Sequence, residues 1–156
     1  MKKGVFGRMC TALLASALLL PDALLAGESG LHQIQTTPDP YAQYGISQAI
    51  RVGNLVFVSG QVGMDLEGRI VGDDFDAQAE QAFRMLGLVL EAGGSGLDRV
   101  AKVTIYVTDM SKFPTIVRLR EKYFKKPYPA DTIVEVSALG LPGLKIEIEA
   151  IGVIRP

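Results

Sequence analysis

Asp76-Ala77-Gln78-Ala79-Glu80-Gln81-Ala82-Phe83-Arg84-Met85-Leu86-Gly87-Leu88-Val89-Leu90-Glu91-Ala92-Gly93-Gly94 carries a period that the residues on either side of it lack. Ala79, Ala82, Phe83, Leu86 and Leu90 recur at spacings of three and four, which puts them on one face of an amphipathic helix. An acidic start and the Gly93-Gly94 pair mark its two ends. Upstream the signals are those of strands. Leu31 to Thr36 is a weak strand closed by Thr37-Pro38-Asp39-Pro40, since the two prolines have no N–H for a ladder. Ser47 to Val52 and Leu55 to Gln61 flank Gly53-Asn54 and read as a hairpin, and Leu66-Glu67-Gly68-Arg69 marks a further turn.

Downstream, Arg99 to Thr108 returns to alternation, with Val103, Ile105 and Val107 on one side and Lys102, Thr104 and Tyr106 on the other, the pattern of a half-buried strand. Ser111 is placed to cap a second helix whose stripe is Phe113, Ile116, Val117 and Phe124, and Pro127 stops it. Arg120 interrupts that stripe; a stem that packs while its head reaches water or a carboxylate accounts for it. Thr132 to Leu139 and Lys145 to Ile154 are two more strands joined by Gly140-Leu141-Pro142-Gly143. The order βββαβαββ predicts an α+β domain, one mixed sheet with both helices on one face. The other face then lacks a cover. In the last strand Glu147 and Glu149 share the side opposite Ile146 and Ile148, an arrangement that ordinary solvent exposure would explain.

Composition narrows the function. The chain has 156 residues, 16 basic and 17 acidic side chains, one His and one Cys. A net charge of −1 without a basic stripe argues against a nucleic-acid partner. One Cys and one His cannot build a zinc site or a disulfide framework, so a metal could rest only on carboxylates and no metal site or cofactor is assigned, and 48% hydrophobic residues excludes a disordered chain. Residues 1–26 read as a signal peptide: Lys2, Lys3 and Arg8 precede an uncharged run from Met9 to Leu20, too short to span a bilayer. Cleavage after Ala26, in Ala23-Leu24-Leu25-Ala26-Gly27, follows the small-residue rule loosely. An uncleaved apolar anchor is the alternative. Either way the expectation is a periplasmic or secreted domain over residues 27–156, with 13 basic and 16 acidic side chains and no stable membrane partner.

Several segments in order carry a resemblance that covers nearly all of 27–156. Ser47-Gln48-Ala49, Val52-Gly53-Asn54-Leu55-Val56-Phe57-Val58-Ser59-Gly60-Gln61, Tyr106-Val107-Thr108-Asp109-Met110, Pro129-Ala130, Val134-Glu135-Val136 and Ile146-Glu147-Ile148-Glu149-Ala150-Ile151 resemble the RidA/YjgF family of reactive-intermediate deaminases. The resemblance implies a chorismate-mutase-like fold and a homotrimer with the sheets facing inward, which would cover the open face. It also implies ligand clefts between subunits and hydrolysis of enamines and imines to carbonyl compounds and ammonia without a cofactor. A glutamate on the last strand handles protons in that chemistry, and an arginine after Pro-Ala grips the substrate carboxylate.

Carried over by position, the glutamate falls on Glu147; Gly60 is read separately as a glycine that lets backbone come close to a ligand or a neighbour. The rest departs. Asp131 stands in the arginine's place, with no basic residue between Lys126 and Lys145; Ile46 replaces a tyrosine, which Tyr44 could partly replace; Met85 replaces an asparagine; Ile133 takes a position often held by cysteine and keeps its backbone N–H. Losing one partner of a buried charge pair costs about 2 to 5 kcal/mol, and an acid there would also repel an anionic imino acid. These departures suggest a homotrimer whose clefts bind small neutral or cationic molecules through Ile46, Gly60, Asp131, Ile133 and Glu147, with weak or absent 2-imino-acid deaminase activity. An active imine deaminase and a holdase-like or structural protein remain as alternatives, as does an Asp131 that simply turns to solvent. Whether the chain is an enzyme stays open at this point.

Overall fold

The structure, a computed structural model, describes Met1 and residues 30–155; the expected signal peptide, apart from Met1, lies outside the described residues. Six strands and two helices occur in the expected order: β1 His32–Ile34, β2 Ala49–Val52, β3 Leu55–Val62, α1 Phe75–Ala92, β4 Val100–Val107, α2 Phe113–Tyr123, β5 Ala130–Glu135 and β6 Ile146–Val153. They form one sheet in the order β1-β2-β3-β6-β4-β5. Every neighbouring pair is antiparallel except β4 with β5. A parallel pair cannot be joined by a tight turn, and α2 is the crossover between its two strands. β3 and β4 both run antiparallel to β6, so α1 performs the same service for them.

The two periods of the sequence meet in the core. Ala79, Ala82, Phe83, Leu86 and Leu90 of α1 are fully buried against Val103, Ile105 and Val107 of β4 and Ile146, Ile148 and Ala150 of β6. Phe83 stacks on Tyr123 at 5.2 Å between centroids and meets Phe124 at 5.6 Å, which ties α1 to the end of α2. Both helices therefore lie on one face. The opposite face carries Phe57, Lys102, Thr104, Glu149 and Ile151 around a shallow cavity of about 330 Å³, and Phe57 and Val134 remain exposed.

Several element ends move from their expected places. α1 begins at Phe75, because the Asp74 carboxylate accepts from the N–H of Ala77 at 2.8 Å and satisfies one of the free donors of the first turn. Ser111 caps nothing: it lies inside the 3-10 turn Met110–Lys112, where the Asp109 carboxylate accepts from its N–H at 2.9 Å. Pro114 then sits in the first turn of α2, where no N–H is required of it. The buried stripe of α2 is Thr115, Ile116 and Leu119, while Phe113 is exposed and Phe124 is buried just past the helix end. β2 starts at Ala49, since Gln48 turns inward and its side chain accepts from the N–H of Thr36 at 2.5 Å. β5 ends at Glu135, four residues short of Leu139. Residues 136–145 instead form a loop whose Leu139, Leu141 and Leu144 pack with Val62 and Met64 in a second, smaller apolar cluster.

Candidate functional site

That second cluster is one wall of a cavity of about 250 Å³ lined by Tyr41, Tyr44, Ile46, Ser59, Gly60, Val62, Met64, Gly140, Leu141, Leu144 and Glu147. Four pieces of chain meet there: the 3-10 turn Ala42–Tyr44 with its flanks, the second half of β3 with the residues just after it, the loop before β6, and β6 itself through Glu147. The β3–β6 register slips between Val58 and Gln61. Such an irregularity re-aims the residues it contains, here Ser59 and Gly60.

Glu147 pairs across β6 with Tyr106 on one side and Val62 on the other, and it points to the face away from the helices. Its carboxylate lies directly over Gly60: a Cβ at position 60 would stand 1.8 Å from Glu147 Oε1. A side chain at position 60 would force the Glu147 carboxylate to move, so Gly60 is what permits Glu147 its position. Burial pushes the Glu147 carboxyl above the usual carboxylate range, and the nearby charge of Glu149 adds to the effect. The Tyr41 hydroxyl donates to the carbonyl of Gly60 at 2.8 Å; burial and then the charge of Glu147 raise its pKa. Ser59 Oγ donates to the carbonyl of Ser47 at 2.7 Å, and the fully buried Gln61 donates to the carbonyl of Ser59 at 2.9 Å. The bulge is thus held from both sides.

Of the five candidate site residues, the structure brings together Ile46, Gly60 and Glu147. Tyr44 joins them although the strand does not reach it, because the 3-10 turn folds it over the same cavity. Asp131 and Ile133 lie elsewhere. They register with Val103 and Ile105 of β4, so they share the helix-side face, and Ile133 packs against the main core. Within one protomer Asp131 and Glu147 are on opposite faces and do not repel one another; only a neighbouring copy could bring them to one cleft. Nor is Asp131 a solvated turn residue. It sits within β5 and pairs with Arg120 of α2 at 2.5 Å, both side chains about one-fifth exposed at 20% and 21%. Arg120, the residue that broke the helix stripe, also lies over the Phe113 ring at 5.6 Å.

Sequence reasoning passed over Tyr41, Met64 and Leu144. Tyr41 directly follows the segment Thr37-Pro38-Asp39-Pro40 that closes the first strand, and nothing local shows that its ring folds back over β3. The lining contains one carboxylic acid and no lysine or arginine. Among the described residues no cluster of three or more His, Cys, Asp or Glu could hold a metal ion, and no helix is long and apolar enough to cross a membrane.

An α+β domain with two helices on one side of a mixed sheet, and an acid-bearing pocket on the other, has close relatives. A family model described as Endoribonuclease L-PSP matches residues 34–154, and the chain belongs to that family, the RidA/YjgF proteins. The Reactive Intermediate Deaminase A, chloroplastic, of Arabidopsis thaliana is 40% identical over 119 residues, which is 76% of this chain but 63% of that protein, so this chain spans less than two thirds of its length. The 2-iminobutanoate/2-iminopropanoate deaminase of Mus musculus is 38% identical over 124 residues, 79% of this chain and 91% of the relative. The crystal structure of RidA from an Antarctic Psychrobacter bacterium superposes with a TM-score of 0.73 at 40% identity, covering 79% of this chain and 99% of that one.

Proposed function

We propose that this chain is a RidA-family protein exported by residues 1–26. In this reading it assembles as a homotrimer through the open sheet face, and its Glu147 pocket takes small neutral or cationic imines or amines. Turnover of 2-imino acids is weak or absent. The observation that carries the reading is the pocket's charge: Glu147 is its single carboxylic acid and no cation lines it, while Asp131, at the place where the resemblance puts the carboxylate-binding arginine, is engaged by Arg120. A 2-imino acid would have to set its carboxylate beside another carboxylate. The same charge does not suit an RNA phosphodiester, which is held by lysine, arginine and backbone N–H groups.

The chemistry open to the site is addition of water to C=N. The water oxygen bonds to carbon as the C=N π pair moves to nitrogen; the carbinolamine then loses ammonia and becomes the carbonyl compound. Glu147 accepts the proton from the attacking water and returns one to the departing nitrogen. A carboxyl whose pKa is raised toward neutrality performs both roles better than an ordinary one. The exposed apolar side chains Phe57 and Val134 support assembly through that face, because burial in an oligomer removes them from water.

The test is ammonia release by the full chain from 2-iminobutanoate and from butan-2-imine, in which a methyl replaces the carboxylate. Faster turnover of butan-2-imine, lost in Glu147→Gln, is expected. Efficient hydrolysis of 2-iminobutanoate would overturn the reading in favour of a second one, a 2-imino-acid deaminase like the mouse relative's name describes.

A further inference from the structure

Two walls of the Glu147 pocket are built from loop rather than sheet. Met64 lies just past the end of β3, and Gly140, Leu141 and Leu144 lie in the loop before β6. Both walls lead back to one side chain, Gln78 of α1, which is fully buried and is not part of the pocket lining. Its amide nitrogen donates to the carbonyl of Gly143 at 2.8 Å and to that of Gly72 at 2.7 Å, and its amide oxygen accepts from the N–H of Lys145 at 2.9 Å. The bonds to Gly143 and Lys145 straddle Leu144. Gly72 and Gly143 have positive φ, +103° and +89°, a region glycine enters without strain, so both carbonyls can turn toward the same amide. On the other wall Gly63 separates Val62 from Met64, and a Cβ there would stand 2.5 Å from Gln78 Cβ. One turn along α1, Gln81 donates to the carbonyl of Met64 at 3.0 Å.

α1 is a firm reference for both loops, since Ala79, Ala82, Phe83 and Leu86 are fully buried in the core. A buried amide whose protons and oxygen are all engaged passes that firmness on, because breaking any one bond leaves a polar group without a partner. Lys145 is gripped twice, its N–H by Gln78 and its carbonyl by the N–H of Thr108 at 3.1 Å. Two residues further along the chain stands Glu147. Resting on the reading of the Glu147 pocket as the functional site, we propose that Gln78 is a positioning residue for it, a clamp that touches no ligand yet sets where Leu144 and the first residues of β6 stand. Were Gln78 only a support for the fold, its loss would lower stability throughout and leave the shape of the pocket unchanged. As a clamp, its loss frees the Leu144 wall first and lets water reach Glu147, whose raised pKa comes mainly from burial.

The experiment compares the full chain with Gln78→Met, which keeps a good helix former of similar length but none of the three bonds, and with Gln78→Glu. Amide hydrogen exchange is followed at Lys145 against Val103 and Ile105 of β4, Glu147 by its carboxyl 13C titration, and turnover with butan-2-imine and hexan-2-imine. In the native protein the Lys145 amide should be as protected as those of Ala82 and Phe83, as one cooperative unit with α1; free exchange there overturns the proposal before any variant is made. In Gln78→Met, exchange at Lys145 should rise about tenfold or more beyond any rise in β4. The Glu147 titration should fall toward the ordinary carboxylate range, and turnover should shift in favour of the longer imine. A protonated Gln78→Glu side chain keeps the acceptor for Lys145 and one donor, so protection of Lys145 should return in that variant at about pH 4. Equal rises at Lys145 and in β4, with the Glu147 titration where the native protein has it, would overturn the proposal. The functional reading of the pocket fails differently: no imine turned over, or turnover indifferent to Gln78→Met while exchange and titration move, sinks that reading and leaves the clamp standing.

Discussion

Replacing Gly60 by alanine tests the geometry of the pocket at its tightest point. The new Cβ would lie 1.8 Å from Glu147 Oε1, 2.5 Å from its Cδ and 2.7 Å from its Cγ, whereas ordinary contact begins near 3.4 Å. Three successive atoms of one side chain are too close, so a small bend of the carboxylate does not relieve the clash; Glu147 must change rotamer and swing off the floor of the pocket. Overpacking of this kind costs about 1–3 kcal/mol. For a domain of this size that corresponds to a melting temperature lower by roughly 3–15 °C. The flexibility of the glutamate keeps the cost from being larger. The functional loss should exceed the structural one, because misplacing a reacting group by about an ångström costs on the order of 100-fold in rate. Expelled toward water, Glu147 should also titrate closer to the ordinary carboxylate range, since burial is the main cause of its raised pKa. The assay is a thermal melt beside a carboxyl 13C titration and imine turnover. An alanine variant that melts with the native protein and leaves the Glu147 titration where it was would refute the placement of Glu147 over Gly60.

Four further outcomes are expected. Asp131→Arg alone should destabilise the protein, since it would face Arg120 at the distance where a 2.5 Å ion pair now stands. The exchanged pair Arg120→Asp with Asp131→Arg should recover most of the loss, with a coupling of about 0.5–3 kcal/mol in a double-mutant melt; no recovery would mean the pair is incidental. Glu147, raised by burial and by Glu149, holds a proton in the fold that the unfolded chain has released, so its contribution to stability declines as pH rises from about 4.5 through its raised value. Urea unfolding of Glu147→Gln across that window should show a shallower decline. Glu80 acts in the opposite sense: burial alone would raise it, but hydrogen bonds from Lys122 and Tyr123 hold it below its ordinary value. The stability it supplies above that value is lost as pH falls through the lowered one, and Glu80→Gln should remove this acid sensitivity in the same urea series. Finally, Phe83→Ala empties the contact between α1 and the end of α2, and urea unfolding should register a loss of about 3–5 kcal/mol; a loss within that of a surface substitution would contradict its role as the joint.

Local period made much of the fold legible in the sequence. The stripe Ala79, Ala82, Phe83, Leu86, Leu90 could bury itself only as a helix, and the alternation of Val103, Ile105 and Val107 only as a strand with one wet face, so the element order and the side on which the helices lie were determined before any contact was known. Glu147 was legible as a candidate through the resemblance, and Gly60 through the close backbone approach that a glycine in a strand permits. Tertiary structure alone decided that they touch, because the β3–β6 register and its slip between Val58 and Gln61 set which residue lies over which. It alone decided the fate of Asp131. Strand parity places it on the helix side of β5, and the partner that holds it there, Arg120, is eleven residues away on a different element. Tyr41 and the loop leucines were invisible for the same reason. Their positions depend on where a turn and a loop return to the sheet, and no short-range periodicity encodes that.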